Sequence, residues 1–392
     1  MNIPHDAIIL KPGKEKAVVN RHHWIFSGAV THFPKFADGG ILPVYTHNGK
    51  LLGTGYFNRK SGIVGRMICF DAAPPLEAIA KNLFSAINFR ASLFQGSHTN
   101  AYRLVNGEGD GLPGLVIDFY NGIVVIQIST LGMEKLKPFL IDWLQKNLNP
   151  RTIYEKSKLP SRKEEGLNDF SGLVFGEDFS LIEIEENGLR FLIDIKGGQK
   201  TGFFCDTREM RKLIQNISQG KSVLNCFAYS GGFTLYALAG GASRVDSVDI
   251  SENAISEARH NVTLNGFEAI SQDFYATDVF DFLRQNPLEY DIVILDPPAF
   301  AKKQKDVITA CRGYKDINRI AMQKMPAKSF LLTCSCSYHI DESLFQKVIF
   351  QAAVEARRFV RIIGRHRIAP DHPINICHKE SDYLKSLLLY IE

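Results

Sequence analysis

No stretch of the 392-residue sequence approaches 18 consecutive apolar residues, so we expect no membrane-spanning helix. The N-terminus also lacks a basic start followed by a long apolar segment, and we predict no signal peptide. Seven cysteines are scattered along the chain instead of being densely spaced, which is typical of a protein in a reducing compartment. These absences favour a cytoplasmic protein.

The sequence also lacks a strong charge of either sign. It has 46 basic and 42 acidic residues, a formal net charge of +4, which falls short of chains that coat nucleic acid nonspecifically. Any nucleic-acid interface must therefore be local. An apolar content of 45% excludes a largely disordered chain, and the length favours two or three domains.

The pattern of short elements divides the chain into three predicted domains. Residues 1–72 read as short strands broken by turns, with Asn48-Gly49 as a hairpin signal, and predict a small all-β domain. Residues 73–186 mix helical and strand patterns and predict a central α+β domain. Residues 187–392 alternate continuously apolar strands with helices, which is typical of a parallel sheet covered on both faces.

The third domain lacks the G-x-G-x-x-G turn of dehydrogenases. Its first buried strand instead runs into Tyr229-Ser230-Gly231-Gly232, where glycine lets a ligand approach the backbone and the next helix offers free N–H groups. Acidic residues then end or follow successive strands. Asp249 could accept hydrogen bonds from ribose hydroxyls, Asp278 could accept one from an adenine amine, and Asp296 comes directly before two prolines. Each aspartate alone could be a helix cap. In this order they are typical of S-adenosylmethionine methyltransferases.

Longer segments resemble the RlmI family of bacterial 23S ribosomal RNA cytosine carbon-5 methyltransferases. They span the chain in family order and include WIFSGAV, EGDGLPGLVID, GGQKTGFFCDTREMR, LNCFAYSGGFTLYAL, ARHNVTLNGF, DPPAFAKKQKDVITACRGYKDIN, LLTCSCS and DHP at 371–373. The resemblance implies an RNA-contacting PUA domain, a central α+β domain and a Rossmann-like class I methyltransferase domain. It also implies S-adenosylmethionine as methyl donor and 23S ribosomal RNA as substrate.

The resemblance extends to cofactor-adjacent residues. From GGQKTGFFCDTREMR it implies Lys200, Thr201, Asp206 and Arg208. These join the predicted residues of the glycine turn and the aspartate series: Phe227, Ser230, Gly231, Asp249, Asp278 and Asp296. Arg208 or Lys200 could pair the methionine carboxylate, whereas the alternative is that Asp206 and Arg208 cap and charge the following helix. The sequence leaves both open, as it does a homodimer. No metal is expected.

Carbon 5 of cytosine needs activation by a thiolate at carbon 6 before it can accept a methyl group, so a cysteine near the cofactor is required. Cys334 and Cys336 project to one side if their strand continues. Cys336 lies nearer the strand's carboxyl end, where doubly wound sheets place their chemistry, and it matches the family's nucleophile motif. We predict Cys336 as nucleophile, Asp296 as its electrostatic partner and Cys334 as a packing residue.

The proton-abstracting base stays unassigned at this stage. Many other RNA cytosine carbon-5 methyltransferases carry a second cysteine after the strand-four proline, whereas this chain has Ala299 after Pro298. Solvent, Lys315 or Tyr314 could serve, and the sequence does not rank them.

A basic segment follows Asp296-Pro297-Pro298, and its predicted RNA contacts are Lys302, Lys303, Arg312, Tyr314 and Lys315. Tyr314 could stack on a base turned out of its helix. The alternative is a solvated helix face. Two rival functions also stay open: a guanine or adenine nitrogen methyltransferase of the same fold, and a catalytically silent RNA-binding assembly factor.

Overall fold

The computed structural model describes residues 4–392, with the backbone alone for Lys379. The chain folds into two compact units. The first holds the chain up to Ile184 together with Asp194–Cys205 and Pro370–Ser381, and the second holds Glu185–Ile193, Asp206–Ala369 and Asp382–Glu392. The chain therefore leaves each unit more than once.

The first unit begins with a six-stranded sheet in the order β2-β6-β5-β4-β1-β3. Asn48-Gly49 lies between β4 and β5, which pair antiparallel, so the predicted hairpin is confirmed. The elements are β1 (Ile8–Leu10), α1 (Lys16–Val19), β2 (Trp24–Ile25), β3 (Val30–His32), β4 (Gly40–Tyr45), β5 (Leu51–Phe57) and β6 (Gly65–Cys69). A single apolar cluster that includes Ile8, Val44 and Phe57 fills this sheet's core.

The same unit contains a five-stranded sheet in the order β11-β10-β9-β8-β7. Its elements are α2 (Pro75–Phe94), β7 (Ala101–Asn106), β8 (Leu115–Tyr120), β9 (Ile123–Ile128), α3 (Leu131–Lys135), α4 (Lys137–Leu148), β10 (Thr152–Ser157), α5 (Pro160–Glu164) and β11 (Phe170–Gly176). Apolar side chains of α2 and α4 pack on this sheet, which is an α+β arrangement.

The second unit is built on a seven-stranded sheet in the order β16-β15-β14-β17-β18-β20-β19. The chain enters it through β12 (Ile182–Glu186) and β13 (Leu189–Ile193). The other elements are α6 (Arg208–Ile217), β14 (Ser222–Cys226), α7 (Gly232–Ala239), β15 (Arg244–Asp249), α8 (Glu252–Leu264), β16 (Phe274–Ala276), α9 (Val279–Gln285), β17 (Ile292–Leu295), α10 (Val307–Lys324), β18 (Ser329–Ser335), α11 (Glu342–Ala356), β19 (Val360–His366) and β20 (Lys385–Ile391).

Strands β14 to β18 run parallel, as their continuously apolar sequences predict. Every residue of β17 is buried because helices cover both faces. Strand β20 is antiparallel between β18 and β19, a detail that hydrophobicity alone does not reveal. The strand order reverses direction between β14 and β17, and this switch point is where doubly wound sheets bind ligands at the carboxyl ends of their strands.

Candidate active site

The turn after β14 offers an open backbone surface at the switch point. Phe227, Tyr229 and Gly231 all have positive φ, and Gly231 at +83° is the N-terminal cap of α7. A Cβ on Gly231 would come within 2.9 Å of the Ala258 Cβ, so both the backbone angle and the packing against α8 require glycine there. Ser230 is buried, and its carbonyl accepts from the Asn261 side-chain amide.

Asp249, at the end of β15, faces this turn. One of its carboxylate oxygens accepts from the Tyr229 N–H at 2.9 Å, and the other accepts from the Ser251 N–H at 2.9 Å. The side chain is partly exposed, so each oxygen keeps a lone pair that can accept from a ligand hydroxyl. This is the donor–acceptor chemistry that a ribose needs.

The other two aspartates of the series occupy different local structures. Asp278 is the N-terminal cap of α9, where its carboxylate accepts from the Asp281 N–H at 3.1 Å. The capping interpretation of Asp278 is therefore correct, and a role toward adenine would have to use the second oxygen. Asp296 directly follows β17 and is partly exposed.

The two cysteines of LLTCSCS differ sharply in surroundings. Cys334 lies inside β18, is fully buried, and packs its sulfur 3.7 Å from the Met210 sulfur of α6. Burial, followed by the charge of Asp296, raises the pKa of the Cys334 thiol well above its ordinary value, and the thiol hydrogen-bonds the Asp296 carboxylate. Cys334 therefore stays protonated, which makes it a poor nucleophile.

Cys336 lies one residue beyond β18 and is partly exposed. Its sulfur is 3.7 Å from the Pro297 carbonyl oxygen, which belongs to the loop that follows Asp296. Parallel pairing of Leu295 with Thr333 brings these two strand ends side by side. The thiol and the carboxylate therefore share one edge of the sheet, as the sequence predicted from strand position.

The predicted cofactor residues of the QKTGFFCDTREMR segment divide between the units. In the first unit, the buried Thr201 hydroxyl donates to Asp118 at 2.6 Å and contacts the Tyr120 hydroxyl at 2.9 Å. The exposed Lys200 ammonium lies 4.2 Å from the centre of the Phe204 ring. Thr201 thus has a structural role in a buried network.

In the second unit, Arg208 is buried and its Nε donates to Glu186 at 3.0 Å. The same carboxylate accepts from Arg211, at 2.6 Å and 2.8 Å. Asp206 accepts from the Tyr383 hydroxyl at 2.6 Å. These partners indicate that Asp206 and Arg208 anchor the start of α6, and their cofactor role stays a prediction.

The structure corrects part of the predicted RNA set. Tyr314 lies in α10 with no exposed surface, so it cannot stack on an extruded base. Lys315 pairs with Glu355 at 2.7 Å. Lys302, Lys303 and Arg312 are exposed, as a phosphate-contacting surface requires.

Sequence reasoning missed two polar residues beside Cys336. The buried Ser337 and Lys385 are joined by a hydrogen bond of 2.8 Å from the lysine ammonium to the serine carbonyl. A lysine at the head of the apolar run SLLLYI is the signal that could have drawn attention to this position.

Among residues 4–392, one group of side chains has the composition of a metal site: His22, His378 and Glu380. The two imidazole rings are stacked, with centroids 4.4 Å apart and planes at 9°. A bound ion lies in the plane of each imidazole that ligates it, and two parallel planes share no such point. Glu380 instead lies 3.4 Å from His22 Nε2 and 2.8 Å from His378 Nδ1, as a bridging carboxylate.

Comparison with known proteins assigns the class. Family models for an S-adenosylmethionine-dependent methyltransferase and a PUA-like domain match residues 167–379 and 8–70, respectively. The structure of SMU.776 complexed with SAH superposes with a TM-score of 0.85 at 23% identity, covering 98% of this chain and 99% of that one. The protein is therefore an S-adenosylmethionine-dependent methyltransferase with a Rossmann-like fold and a PUA-like domain.

Sequence relatives narrow the class. Ribosomal RNA large subunit methyltransferase I of Shewanella denitrificans is 40% identical over 389 residues, which cover 97% of this chain and 98% of that protein. Its namesake from Escherichia coli O157:H7 is 39% identical over 385 residues, covering 96% and 97%. The chain belongs to this family, the ribosomal RNA large subunit methyltransferases I. Across residues 4–392, no helix combines the length and hydropathy of a membrane span.

Proposed function

We propose that the protein methylates carbon 5 of a cytosine in 23S ribosomal RNA, with Cys336 as nucleophile and Asp296 as the partner that holds the base. The relatives' names support large-subunit ribosomal RNA as the substrate. One observation carries the choice of carbon 5: at the carboxyl edge of the sheet, the partly exposed Cys336 contacts the carbonyl of Pro297, the residue that follows Asp296. Methylation of an exocyclic or ring nitrogen needs no thiol.

The residues of this edge fit S-adenosylmethionine by their chemistry. The backbone of Phe227, Ser230 and Gly231 would lie along the methionine part, and the charged, partly exposed Asp249 would accept from the ribose hydroxyls. When bound, the cofactor supplies an electrophilic methyl group on a sulfonium sulfur. Lys200, Thr201, Asp206, Arg208 and Asp278 would act less directly, because their charged or polar groups already have the partners described above.

The proposed reaction replaces the hydrogen on carbon 5 by a methyl group and releases one proton. The Cys336 thiolate would add to carbon 6 of the cytosine and so make carbon 5 nucleophilic toward the methyl group that bound S-adenosylmethionine supplies, with S-adenosylhomocysteine as the leaving group. Asp296 hydrogen-bonds the Watson–Crick edge near ring nitrogen 3 and the exocyclic amine as charge shifts into the ring. Removal of the carbon-5 proton then expels the Cys336 thiolate and restores the aromatic ring.

We propose solvent as the acceptor of the carbon-5 proton. Burial raises the pKa of Tyr314 to about 12, and its hydroxyl contacts Ser337 at 3.0 Å. Lys315 is paired with Glu355. Neither side chain is placed as a free base, and Ala299 takes the position where other enzymes of this chemistry carry a second cysteine.

The proposed RNA contacts near this edge are Lys302, Lys303 and Arg312, which are exposed. Their charges suit phosphate contacts, which position the RNA without reading its sequence. The PUA-like domain would provide a second RNA surface. A target base inside a helix would have to be turned out to reach Cys336.

The pair of cysteines supplies a matched experiment. Methyl transfer from S-adenosylmethionine to 23S ribosomal RNA, taken from cells that lack this protein, should fall at least about 100-fold in Cys336→Ala, because the nucleophile is lost. Cys334→Ala should keep the activity, since Cys334 is a packing residue. Affinity for S-adenosylhomocysteine, measured by calorimetry, should be unchanged in both variants.

Full activity in Cys336→Ala would refute the thiolate mechanism and favour nitrogen methylation. Tight cofactor binding without turnover on any RNA, in the unmodified protein, would favour the silent assembly factor instead.

A further inference from the structure

A buried polar network lies behind the turn that carries Cys336. Its hub is Ser337, which has no exposed surface. The Ser337 hydroxyl oxygen accepts from the Ala301 N–H at 3.1 Å and contacts the Tyr314 hydroxyl at 3.0 Å. The Ser337 carbonyl accepts from the Lys385 ammonium at 2.8 Å. Three separate segments therefore meet at the residue that follows Cys336.

The network connects the two loops of the proposed active site. Ala301 belongs to the loop that begins at Asp296, and Cys336 contacts the same loop through the Pro297 carbonyl. The turn is thus held to that loop at two points, Cys336 itself and the residue that follows it. A loss of this hub would let the thiol move relative to Asp296.

Lys385 reaches the hub because of strand register. It begins β20 and lies opposite Ser335 of β18, so the two side chains share one face of the sheet. Only about 5% of Lys385 is exposed. A buried ammonium is costly unless charges and acceptors compensate it, so a lysine at the head of an otherwise apolar strand calls for a reason.

The surrounding charges indicate that Cys336 is part of the reason why Lys385 is buried at the start of β20. Burial lowers the pKa of Lys385, whereas Asp382, a Cys336 thiolate and Asp341 act in the opposite direction, and Arg367 lowers it further. Electrostatic coupling is reciprocal, so an ammonium at Lys385 favours the thiolate of Cys336. Asp296 and Asp206 also act on the Cys334 thiol, and Tyr314 interacts with Cys336.

We propose that Lys385 is a positioning residue for Cys336: its ammonium holds the turn through the Ser337 carbonyl and stabilises the thiolate. This rests on the proposed function, in which Cys336 is the nucleophile. Lys385 itself touches neither substrate nor cofactor in this role. Its effect must therefore be visible in the thiol before any RNA is added.

The test is the rate at which iodoacetamide alkylates Cys336 as a function of pH, followed by mass spectrometry of its peptide. Only the thiolate reacts. In Lys385→Met, we expect the alkylation rate at pH 7 to fall about tenfold and the midpoint to move to higher pH. Lys385→Arg keeps the positive charge and should restore most of the rate.

A matched control is Lys324→Met. The Lys324 ammonium also binds backbone carbonyls, at 2.8 Å to Leu283 and 3.0 Å to Asn286, and these acceptors lie outside the Cys336 turn. This variant should leave the alkylation profile of Cys336 unchanged. An unaltered profile in Lys385→Met would overturn the proposal, as would an equal shift in Lys324→Met.

Methyl-transfer kinetics and the alkylation profile together distinguish a failure of the Lys385 proposal from a failure of the proposed function. In Lys385→Met, kcat for methyl transfer should fall with little change in the KM for S-adenosylmethionine. If Cys336→Ala proves active, the function fails, yet the alkylation profile still decides whether Lys385 controls the thiol. Should Lys385→Met not fold, Lys385→Gln, which removes only the charge and keeps a donor, must show the same shift or the proposal fails.

Discussion

At the scale of single residues, the two neighbouring cysteines illustrate how position sets chemistry. Cys334 sits within β18 and its thiol is kept protonated by burial and by Asp296, whereas Cys336 lies just past the strand and is partly exposed. Both side chains are identical, and two positions along the strand separate a packing residue from the proposed nucleophile. The alternation of side chains along a strand does not distinguish the two cysteines, whereas their position relative to the end of β18 does.

His23 should make the free energy of unfolding depend on pH. Burial, followed by the charges of His378 and His22, lowers the pKa of His23 from 6.5 to about 4. The unfolded chain therefore binds a proton that the folded chain resists, so stability is full above pH 6.5 and falls as the pH drops toward 4. The loss at pH 4 should be about 3 kcal/mol.

Urea unfolding followed by tryptophan fluorescence at pH 7.5 and pH 4.5 measures this effect, since both tryptophans lie in the first unit with His23. His23→Gln cannot titrate and should lose less stability on acidification. An identical acid dependence in both proteins would show that other groups govern it.

Several residue roles could not be read from the sequence because their partners are distant along the chain. Thr201 bonds Asp118, and Arg208 bonds Glu186, contacts that depend on how the strands and helices pack. Tyr314 has an aromatic ring in a basic segment, which predicted RNA stacking, but the helix turns it into the core. Periodicity does carry a signal here: buried residues recur at helical spacing along α10, and Tyr314 lies on the same face of the helix.

At the scale of helices and strands, the sequence predicts more of the structure than it does for the roles of single residues. Strands with continuous apolar residues became the parallel strands β14 to β18, and the helical period between Leu76 and Phe94 became α2. The antiparallel direction of β20 does not follow from the sequence, since an apolar run carries no direction. That direction matters here, because it sets Lys385 opposite Ser335.

The ends of β15 and β16 yield a paired prediction about the cofactor. Asp249→Asn keeps an acceptor for a backbone N–H but loses the charge, so affinity for S-adenosylhomocysteine should weaken about 10- to 100-fold. Asp278→Asn should bind nearly as well as wild type, since asparagine caps a helix as effectively as aspartate. Calorimetry on both variants makes the comparison.

The helix cap has its own check. Asp278→Ala removes the acceptor for the Asp281 N–H and should lower the free energy of unfolding by about 1 kcal/mol. Equal loss of cofactor affinity in Asp249→Asn and Asp278→Asn would show that the two aspartates share the ligand, contrary to the roles assigned.

At the scale of the whole molecule, the motif Asp371-His372-Pro373 gains a structural explanation. Its segment, Pro370–Ser381, belongs to the first unit although the residues on either side belong to the second. The Asp371 carboxylate accepts from the Arg103 N–H at 2.9 Å, and its carbonyl accepts from Arg90 at 2.7 Å. The motif therefore docks a returning segment of chain.

The return of the segment Pro370–Ser381 to the first unit explains why domain boundaries drawn from the sequence stay a prediction. Composition marks a change near residues 72 and 186, but it cannot show that a short stretch near the C-terminus packs with the N-terminal unit. Gly109 makes the packing possible, since a Cβ there would come within 1.9 Å of the Pro373 carbonyl oxygen. Such a requirement appears only when both segments are seen together.

The central claim concerns the atom that receives the methyl group, and nucleoside mass spectrometry of 23S ribosomal RNA tests it most directly. RNA from cells lacking the protein should be missing one 5-methylcytidine, which returns with the unmodified gene and with Cys334→Ala but not with Cys336→Ala. Loss of a methylguanosine or methyladenosine instead, or an unchanged set of modified nucleosides, would contradict the account.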